Sequence, residues 1–411
     1  MRSTAGGFSP SLQAAWSNVL AFTCSDQSAL PPDLAANVLS LWQRFTKHRG
    51  PTPDVYMDLS ESRRAYLAYY FPVNVAKVLS LLAEMPEPAI SAHSLGLRVL
   101  DMGSGPGTGA LAVLDWSRTC PSLSNMKLTV TAVDASQAAL HEAGQLWEAY
   151  RSITHIDAAS LVTVQANAER AGFWKTSHCA SQSYDLIIVA NMLNEIFRNR
   201  ADPTRSRVAF VRRLLDLLDD HGTLMIIEPA LRETSRALHL VRDAVLAAGG
   251  CNVYSPCLHE QPCPALVNKD DWCHEERMWC PPRLVGMLDR QVGFIKDSLK
   301  FSYLLLRKDG RHIVPRAPGL YRVVSELRQM KGERRAWLCD QEGRPEVGRL
   351  DRERSVTNVQ FDDWCRGAIV RVAELDWGIK PGSARSVARI RKGSSVELVR
   401  PVRPMMTDEE T

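Results

Sequence analysis

Residues 99–114, "VLDMGSGPGTGALAVL", carry the reading of the fold. A short apolar run ends at Asp101, glycines follow at alternate positions (Gly103, Gly105, Gly107), and Ala and Leu then dominate. That order describes a strand, a tight turn and a helix. Glycine lets the turn approach a ligand without a Cβ in the way. The helix that follows presents its free N–H groups to that ligand. A dinucleotide site would place G-x-G-x-x-G close after the strand. Counted from Gly103, the last glycine position holds Thr108; counted from Gly105 it holds Ala110, but the turn is then displaced from the strand.

Outward from this loop, further short apolar runs follow: "KLTVTAVD", "LVTVQAN", "YDLIIVANMLNEI", "GTLMIIEPA" and, later, "KFSYLLLRK". Segments of helix length separate them. Such alternation predicts a doubly wound parallel sheet covered on both faces. Its ligand belongs beyond the carboxyl ends of the strands. The strand–D-x-G-x-G-x-G order resembles the first motif of class I S-adenosylmethionine (SAM)-dependent methyltransferases. The resemblance implies a Rossmann-like fold in which Gly103, Gly105 and Gly107 face SAM. It also implies that Asp101 holds the methionine part, directly or through water, and that Asp134 in "TAVDAS" accepts from the ribose hydroxyls. One carboxylate matches two hydroxyls in a bidentate way. Asn167 and Asn191, after the third and fourth strands, are further candidates for cofactor contact. Base-amino methyltransferases of this fold commonly carry Asn/Asp-Pro-Pro-aromatic after the fourth strand. Here "ANMLNEI" stands there, and no catalytic residue is assigned. Glu195 reads as a base or, more simply, as a helix-start residue favoured by the helix dipole.

The chain has 411 residues, 45% hydrophobic and 23% charged, with net charge +4, which is globular composition for two or three domains. Residues 1–90 read as a helical packing region. The α/β domain is expected over 91–308, with a Cys-rich insertion at about 251–298. A small, basic, β-rich domain is expected over 309–411, with a disordered tail. No apolar run reaches the length of about 18 residues that a membrane helix needs, so no membrane partner is expected. The N-terminus lacks a secretory pattern, and Arg2 is its only basic residue before the first acid, Asp26. A bacterial-type cytoplasm is the expected setting, with the mitochondrial matrix as the alternative. Between residues 307 and 335 nine Lys and Arg are opposed in sequence only by Asp309, Glu326 and Glu333; a second basic stretch spans 380–403. A reducing compartment disfavours disulfides, so clustered cysteines lean towards metal.

Four cysteines fall in "SPCLHEQPCPALVNKDDWCHEERMWC", spaced Cys257-x5-Cys263-x9-Cys273-x6-Cys280. Zinc modules usually contain C-x2-C knuckles, absent here. Irregular spacing suits a cluster wrapped by a loop. His259 and His274 keep a mixed Cys/His zinc site open. Isolated Cys24, Cys120, Cys179 and Cys365 read as small buried hydrophobes.

"VLDMGSGPGTGALA", "DLIIVANMLNEI", "SPCLHEQPCPAL", "DDWCHEER" and "KFSYLLLRK", in this order, resemble the Rsm22 family of methyltransferase-like proteins of the ribosomal small subunit. The resemblance covers about residues 60–345, and its C-x5-C followed by D-W-C-H is distinctive. It implies a four-iron, four-sulfur (4Fe-4S) cluster on Cys257, Cys263, Cys273 and a downstream cysteine matching Cys339, in place of the nearer Cys280. Glu275 stands where the family usually has an aromatic residue. The implied function is a SAM-binding, 4Fe-4S factor acting on the small subunit and its rRNA in assembly or translation, with rRNA methylation unproven. A monomer with no DNA partner is expected. The alternatives are an active methyltransferase on a small molecule or protein with a structural zinc site, and an RNA-binding protein that has lost SAM use.

Overall fold

The computed structural model describes residues 8–20, 30–47, 56–86, 96–123, 126–176, 179, 182–377 and 387–402. The readings of residues 1–7, of Cys24, of part of the 380–403 stretch and of the tail lie outside the described residues. The helices are α1 (Pro10–Leu20), α2 (Leu34–Thr46), α3 (Ser60–Ala65), α4 (Phe71–Leu82), α5 (Thr108–Thr119), α6 (Gln137–Thr154), α7 (Ala171–Thr176), α8 (Pro203–Leu217), α9 (Arg232–Ala247) and α10 (Arg283–Val292). The first sheet contains β1 (Leu97–Met102), β2 (Leu128–Asp134), β3 (Ala159–Gln165), β4 (Tyr184–Ala190), β5 (Leu218–Pro229), β6 (Asn252–Ser255), β7 (Glu275–Met278) and β8 (Ser298–Arg307).

The strand order is β3-β2-β1-β4-β5-β8-β6, with β7 paired to β8 off this path. Strands β1 to β5 pair in parallel. β8 runs antiparallel to β5, and β6 antiparallel to β8. Alternate residues enter different cores. Val99, Val130, Ile188 and Met225 join the core shared with α4, α5 and α6. Leu100, Ile187, Leu224 and Ile226 join the core shared with α8 and α9. A strand buried on both faces must read as a continuous apolar run, which is why "YDLIIVA" does not alternate. The doubly wound α/β expectation holds, and "KFSYLLLR" lies inside the sheet as β8.

The N-terminal helices cover the sheet. α3 and α4 are joined by a π turn, Tyr66–Tyr70, in which the Phe71 N–H bonds to the Tyr66 carbonyl. Pro72 follows directly and has no N–H to offer the ordinary helical register. The combined helix Ser60–Leu82, 23 residues, is long and apolar enough to cross a membrane by length and composition. Here 94% of its most apolar window is buried inside the fold, as in the core helix of an α/β domain.

A second sheet holds β9 (Leu320–Val323), β10 (Arg328–Met330), β11 (Glu333–Cys339), β12 (Glu346–Leu350), β13 (Ile369–Ala373), β14 (Ala388–Arg389) and β15 (Ser395–Arg400). Its own core includes Val323, Leu338, Val347, Phe361 and Val370. The two sheets meet at a buried ion network. Glu275 on β7 accepts from Arg322 on β9 at 2.7 Å and from Arg277 at 3.3 Å. Arg277 reaches Glu84, beyond α4, at 2.5 Å. Arg322 also donates to the Tyr303 hydroxyl at 3.0 Å. Glu275, Arg277 and Arg322 are 4%, 3% and 5% exposed, so none is solvated.

Removing one member of such a network strands the others. Glu275→Ala is expected to lower unfolding free energy by about 3–5 kcal/mol in denaturant titrations. Burial pushes the Glu275 carboxyl up, but Arg277 and Arg322 outweigh it and hold it below its ordinary value. Its stabilisation is therefore present above the unfolded value of about 4.3 and lost as pH falls through the lowered folded value. A wild-type acid limb no steeper than that of the Ala variant would refute this role.

Candidate functional site

The glycine loop closes the top of β1. Gly103, Gly105 and Gly107 have φ of 72°, 53° and 86°, a left-handed backbone that side chains resist. The N–H groups of Gly103 and Ser104 bond to the Val133 carbonyl at 2.8 and 3.1 Å, which ties the loop to β2. Asp101 is 1% exposed. Its Oδ2 accepts from the Ser104 hydroxyl at 2.8 Å and the Ala110 N–H at 2.9 Å, so the carboxylate braces the turn from below. Burial pushes its pKa up to about 6. Asp134 ends β2 and accepts from the Gly105 N–H at 2.8 Å and the Ser136 N–H at 2.9 Å. Each carboxylate oxygen has two acceptor sites, so Asp134 keeps capacity for a ligand hydroxyl. Asp58 reaches over this edge and accepts from the Ser136 hydroxyl at 2.6 Å.

The segment after β4 forms the facing wall. Asn191 and Phe197 have φ of 58° and 60°, conformations that cost a non-glycine residue energy. Three side chains hold the segment. Glu228, ending β5, accepts from the Asn194 N–H at 3.2 Å. Arg207 on α8 donates to the carbonyls of Asn194 and Ile196 at 3.2 Å. Glu169 accepts from the Phe197 N–H. Met192 lies over the glycine turn, since a Cβ added at Gly103 would sit 2.6 Å from its sulfur. Glu228 is 1% exposed, and its Oε1 has no partner among the described residues. Burial pushes its pKa up to about 8, which leaves it largely protonated at pH 7. The helix-start reading of Glu195 is corrected. Residues 193–199 form successive turns, and α8 begins at Pro203, where Asp202 caps the Arg205 N–H at 2.8 Å. Asn167 is exposed, and its side-chain oxygen accepts from the Glu169 N–H at 2.9 Å. Sequence reasoning missed Glu228 and Arg207; an acid ending the apolar run "LMIIE" was the available signal.

The cysteines meet elsewhere. Cys257, Cys263, Cys273 and Cys339 line one cavity together with His239 and His259. The first three lie on the loop between β6 and β7, and Cys339 ends β11 of the second sheet. Cys280 is not among the lining residues. One face of α9 holds the loop. Arg236 donates to the carbonyls of Ala265, Asn268 and Asp271 at 3.0, 2.7 and 2.7 Å. His239 accepts from the Cys273 N–H at 3.1 Å. Arg242 donates to the carbonyls of His259 and Gln261 at 2.6 and 2.9 Å, and Asp243 accepts from the Cys263 N–H at 2.9 Å. These residues recur at helical spacing, a face that the cysteine count did not reveal. Burial, then the neighbouring Cys257 and Cys273, push the Cys263 thiol up to about 12. Among the described residues no three His, Cys, Asp or Glu side chains are grouped so as to hold a metal ion.

The basic run is largely occupied by its own counter-charges. Arg316 pairs with Glu260 at 2.7 Å, Arg322 with Glu275 at 2.7 Å and Arg334 with Asp362 at 2.9 Å. Arg328 pairs with Glu346, and Arg335 with Glu333. Most of these acids are distant in sequence, so a linear count missed them. Lys331, Arg352 and Lys392 are exposed with no ion pair among the described residues.

The parallel sheet with its antiparallel β8 and the glycine loop after β1 define a class I SAM-dependent methyltransferase fold. The chain belongs to the Rsm22 family: the model described as mitochondrial small ribosomal subunit Rsm22 matches residues 60–378. No curated protein matches the sequence. Among solved structures, the chain is similar to the plantazolicin methyltransferase BpumL in complex with SAH, at 11% identity and TM-score 0.31, covering 72% of this chain and 95% of that one. It is also similar to the mitomycin 7-O-methyltransferase MmcR, at 13% identity and TM-score 0.33, covering 73% and 69%. The CcbJ methyltransferase from Streptomyces caelestis matches at 18% identity and TM-score 0.26, over 38% and 52%.

Gly109 gives a test of the loop. Gly→Ala inside a helix ordinarily stabilises by about 1 kcal/mol. Here the new Cβ would sit 2.5 Å from the fixed Asp101 Oδ1. Gly109→Ala is therefore expected to destabilise by about 1–3 kcal/mol in chemical denaturation; a gain would show that Asp101 is free to move.

Proposed function

We propose that the chain is a SAM-binding, 4Fe-4S factor that acts on the small ribosomal subunit, in assembly or translation. The observation that carries this reading is that Cys339, from the second sheet, lines the same cavity as Cys257, Cys263 and Cys273. Four cysteines around one space, with Arg242 and Arg344 lining it as well, support a thiolate-ligated cluster, whose four irons would hold the thiols farther apart than the close grouping a single metal ion needs and the described residues lack. When bound, the cluster supplies iron–thiolate bonds that tie the loop to the second sheet, a structural task. Family membership supports the small subunit as partner, and the mitochondrial character of the family supports the mitochondrial matrix over a bacterial-type cytoplasm. For SAM, the glycine turn offers close backbone approach, Asp134 the ribose acceptor, and Asn191 a contact beyond β4. Asn167 is a more distant candidate. Methyl transfer to rRNA is a further step for which the 191–197 segment supplies no Pro-Pro-aromatic platform.

Anaerobic purification followed by iron, sulfide and zinc analysis tests the cluster directly. Iron and labile sulfide are expected, lost in Cys339→Ser and kept in Cys280→Ser. Zinc without sulfide would replace the cluster by a zinc site, and the reverse mutant pattern would restore Cys280 as ligand. For the cofactor, calorimetry should show SAM binding weakened about tenfold to a hundredfold in Asp134→Ala, the scale of a hydrogen bond to a charged group. Wild-type protein that binds no SAM would favour a methyltransferase fold that has lost its cofactor. Co-sedimentation with small subunits should weaken as salt rises; no association at low salt would count against the partner.

A further inference from the structure

Helix α4 is apolar except for a buried polar row at three-residue spacing: Asn74, Lys77 and Ser80, which are 6%, 8% and 7% exposed. Ser80 is satisfied locally, donating to the Lys77 carbonyl at 2.6 Å. Lys77 Nζ donates to Asn74 Oδ1 at 3.0 Å, and Asn74 Nδ2 donates to the Tyr66 hydroxyl at 3.0 Å. Tyr66 lies in the π turn, and its hydroxyl stands next to Thr108, the first residue of α5 after the glycine loop. Thr108 Oγ1 is itself buried, with no partner of hydrogen-bond geometry among the described residues. A polar chain therefore leads from the start of the glycine-loop helix into the core and ends on an amine.

That amine is incompletely served. An ammonium carries three donors, whereas Lys77 has one acceptor and no ion pair among the described residues. The titratable groups that act on it are Lys296, of the same sign, and Glu228, whose carboxyl at the end of β5 is itself mostly protonated at pH 7. Burial first, and then Lys296, bring its pKa down to about 7. A buried amine costs several kcal/mol when charged and unpaired, and it recovers that cost when an anion arrives. Tyr66, in the middle of this chain, feels the charges of Glu195 and Asp134, which sets the chain beside the cleft proposed for SAM. The loop there offers N–H groups and Asp134 an acceptor, neither of which neutralises the carboxylate at the methionine end of the cofactor.

We propose that Lys77, presented through Asn74 and Tyr66, receives the α-carboxylate of the methionine moiety of SAM. This rests on the SAM-binding reading above. Its separate content is that the cation comes from the N-terminal helix region and not from the glycine loop.

The test compares two ligands on the full chain by calorimetry: S-adenosylhomocysteine, and 5′-methylthioadenosine, which has the same nucleoside and sulfur but no amino-carboxypropyl arm. Lys77→Met should weaken S-adenosylhomocysteine about tenfold to a hundredfold, the scale of a charged hydrogen bond. It should leave 5′-methylthioadenosine unchanged. Its melting temperature should hold or rise, since a buried amine gives way to an apolar chain of similar length. Lys77→Gln, which keeps a partner for Asn74 without the charge, decides the matter should the Met variant unfold. Equal weakening of both ligands would make Lys77 a shaping residue and overturn the proposal, as would unchanged affinity for S-adenosylhomocysteine. Wild-type protein that binds 5′-methylthioadenosine alone would overturn it too. Wild-type protein that binds neither ligand would remove the SAM-binding reading, and this proposal with it.

Discussion

Glu275 sits where three parts of the chain must agree. It belongs to β7 of the first sheet, Arg322 comes from β9 of the second, and Arg277 carries the network on to Glu84 behind α4. A buried carboxylate between two guanidinium groups is stable only while both remain in place. That condition fixes how the sheets sit against each other more sharply than apolar contact would, because apolar surfaces slide and charge pairs in a dry site do not. Gly367 takes part by absence: any Cβ there would run into the Glu275 carboxylate. The Glu275 carboxylate is thus matched by its own counter-ions.

The cysteine cavity depends on that docking. Three of its thiols come from a loop already shaped by α9, where Arg236 and Arg242 bind backbone carbonyls and Asp243 binds a backbone N–H. The fourth arrives on β11, and it reaches the cavity because β9, its hydrogen-bonded neighbour, is pinned through Arg322. The loop is therefore preorganised by the first domain and completed by the second. A site built this way loses less conformational entropy when a ligand binds than one gathered from a slack loop.

The sheet was legible because its residues obey one local rule. Runs such as "VLDM" and "DLIIVA" are apolar at every position, which only a doubly covered strand requires, and glycines in left-handed backbone mark the turn after β1. The positions of Asp101 and Asp134 at the ends of β1 and β2 were legible for the same reason, since strand ends are set by local pattern. What stayed hidden was set by distance along the chain. The arginines of the basic run find Glu260, Glu275, Glu346 and Asp362 only after folding. Glu195 lies in turns because Asp202 and Pro203 start the helix later than the pattern suggested. Nothing local to α4 marks Lys77 as buried, since its cover comes from elements distant in sequence.

The cleft beside the glycine loop and the cysteine cavity share a wall. Glu228, at the cleft, pairs in register with Ser302 on β8. Ser302 in turn donates to the Cys273 carbonyl at 3.0 Å and meets Ser235 of α9 at 2.5 Å. One strand thus presents the cleft on one neighbour and braces the cysteine loop on the other. In a doubly wound sheet the ligand site lies at the carboxyl ends of the parallel strands. β8, running the other way beside β5, brings its early residues to that same end and so brings the cysteine loop with them. The antiparallel strand is what places the cysteine cavity within one residue pair of Glu228, and the second sheet closes over that cavity.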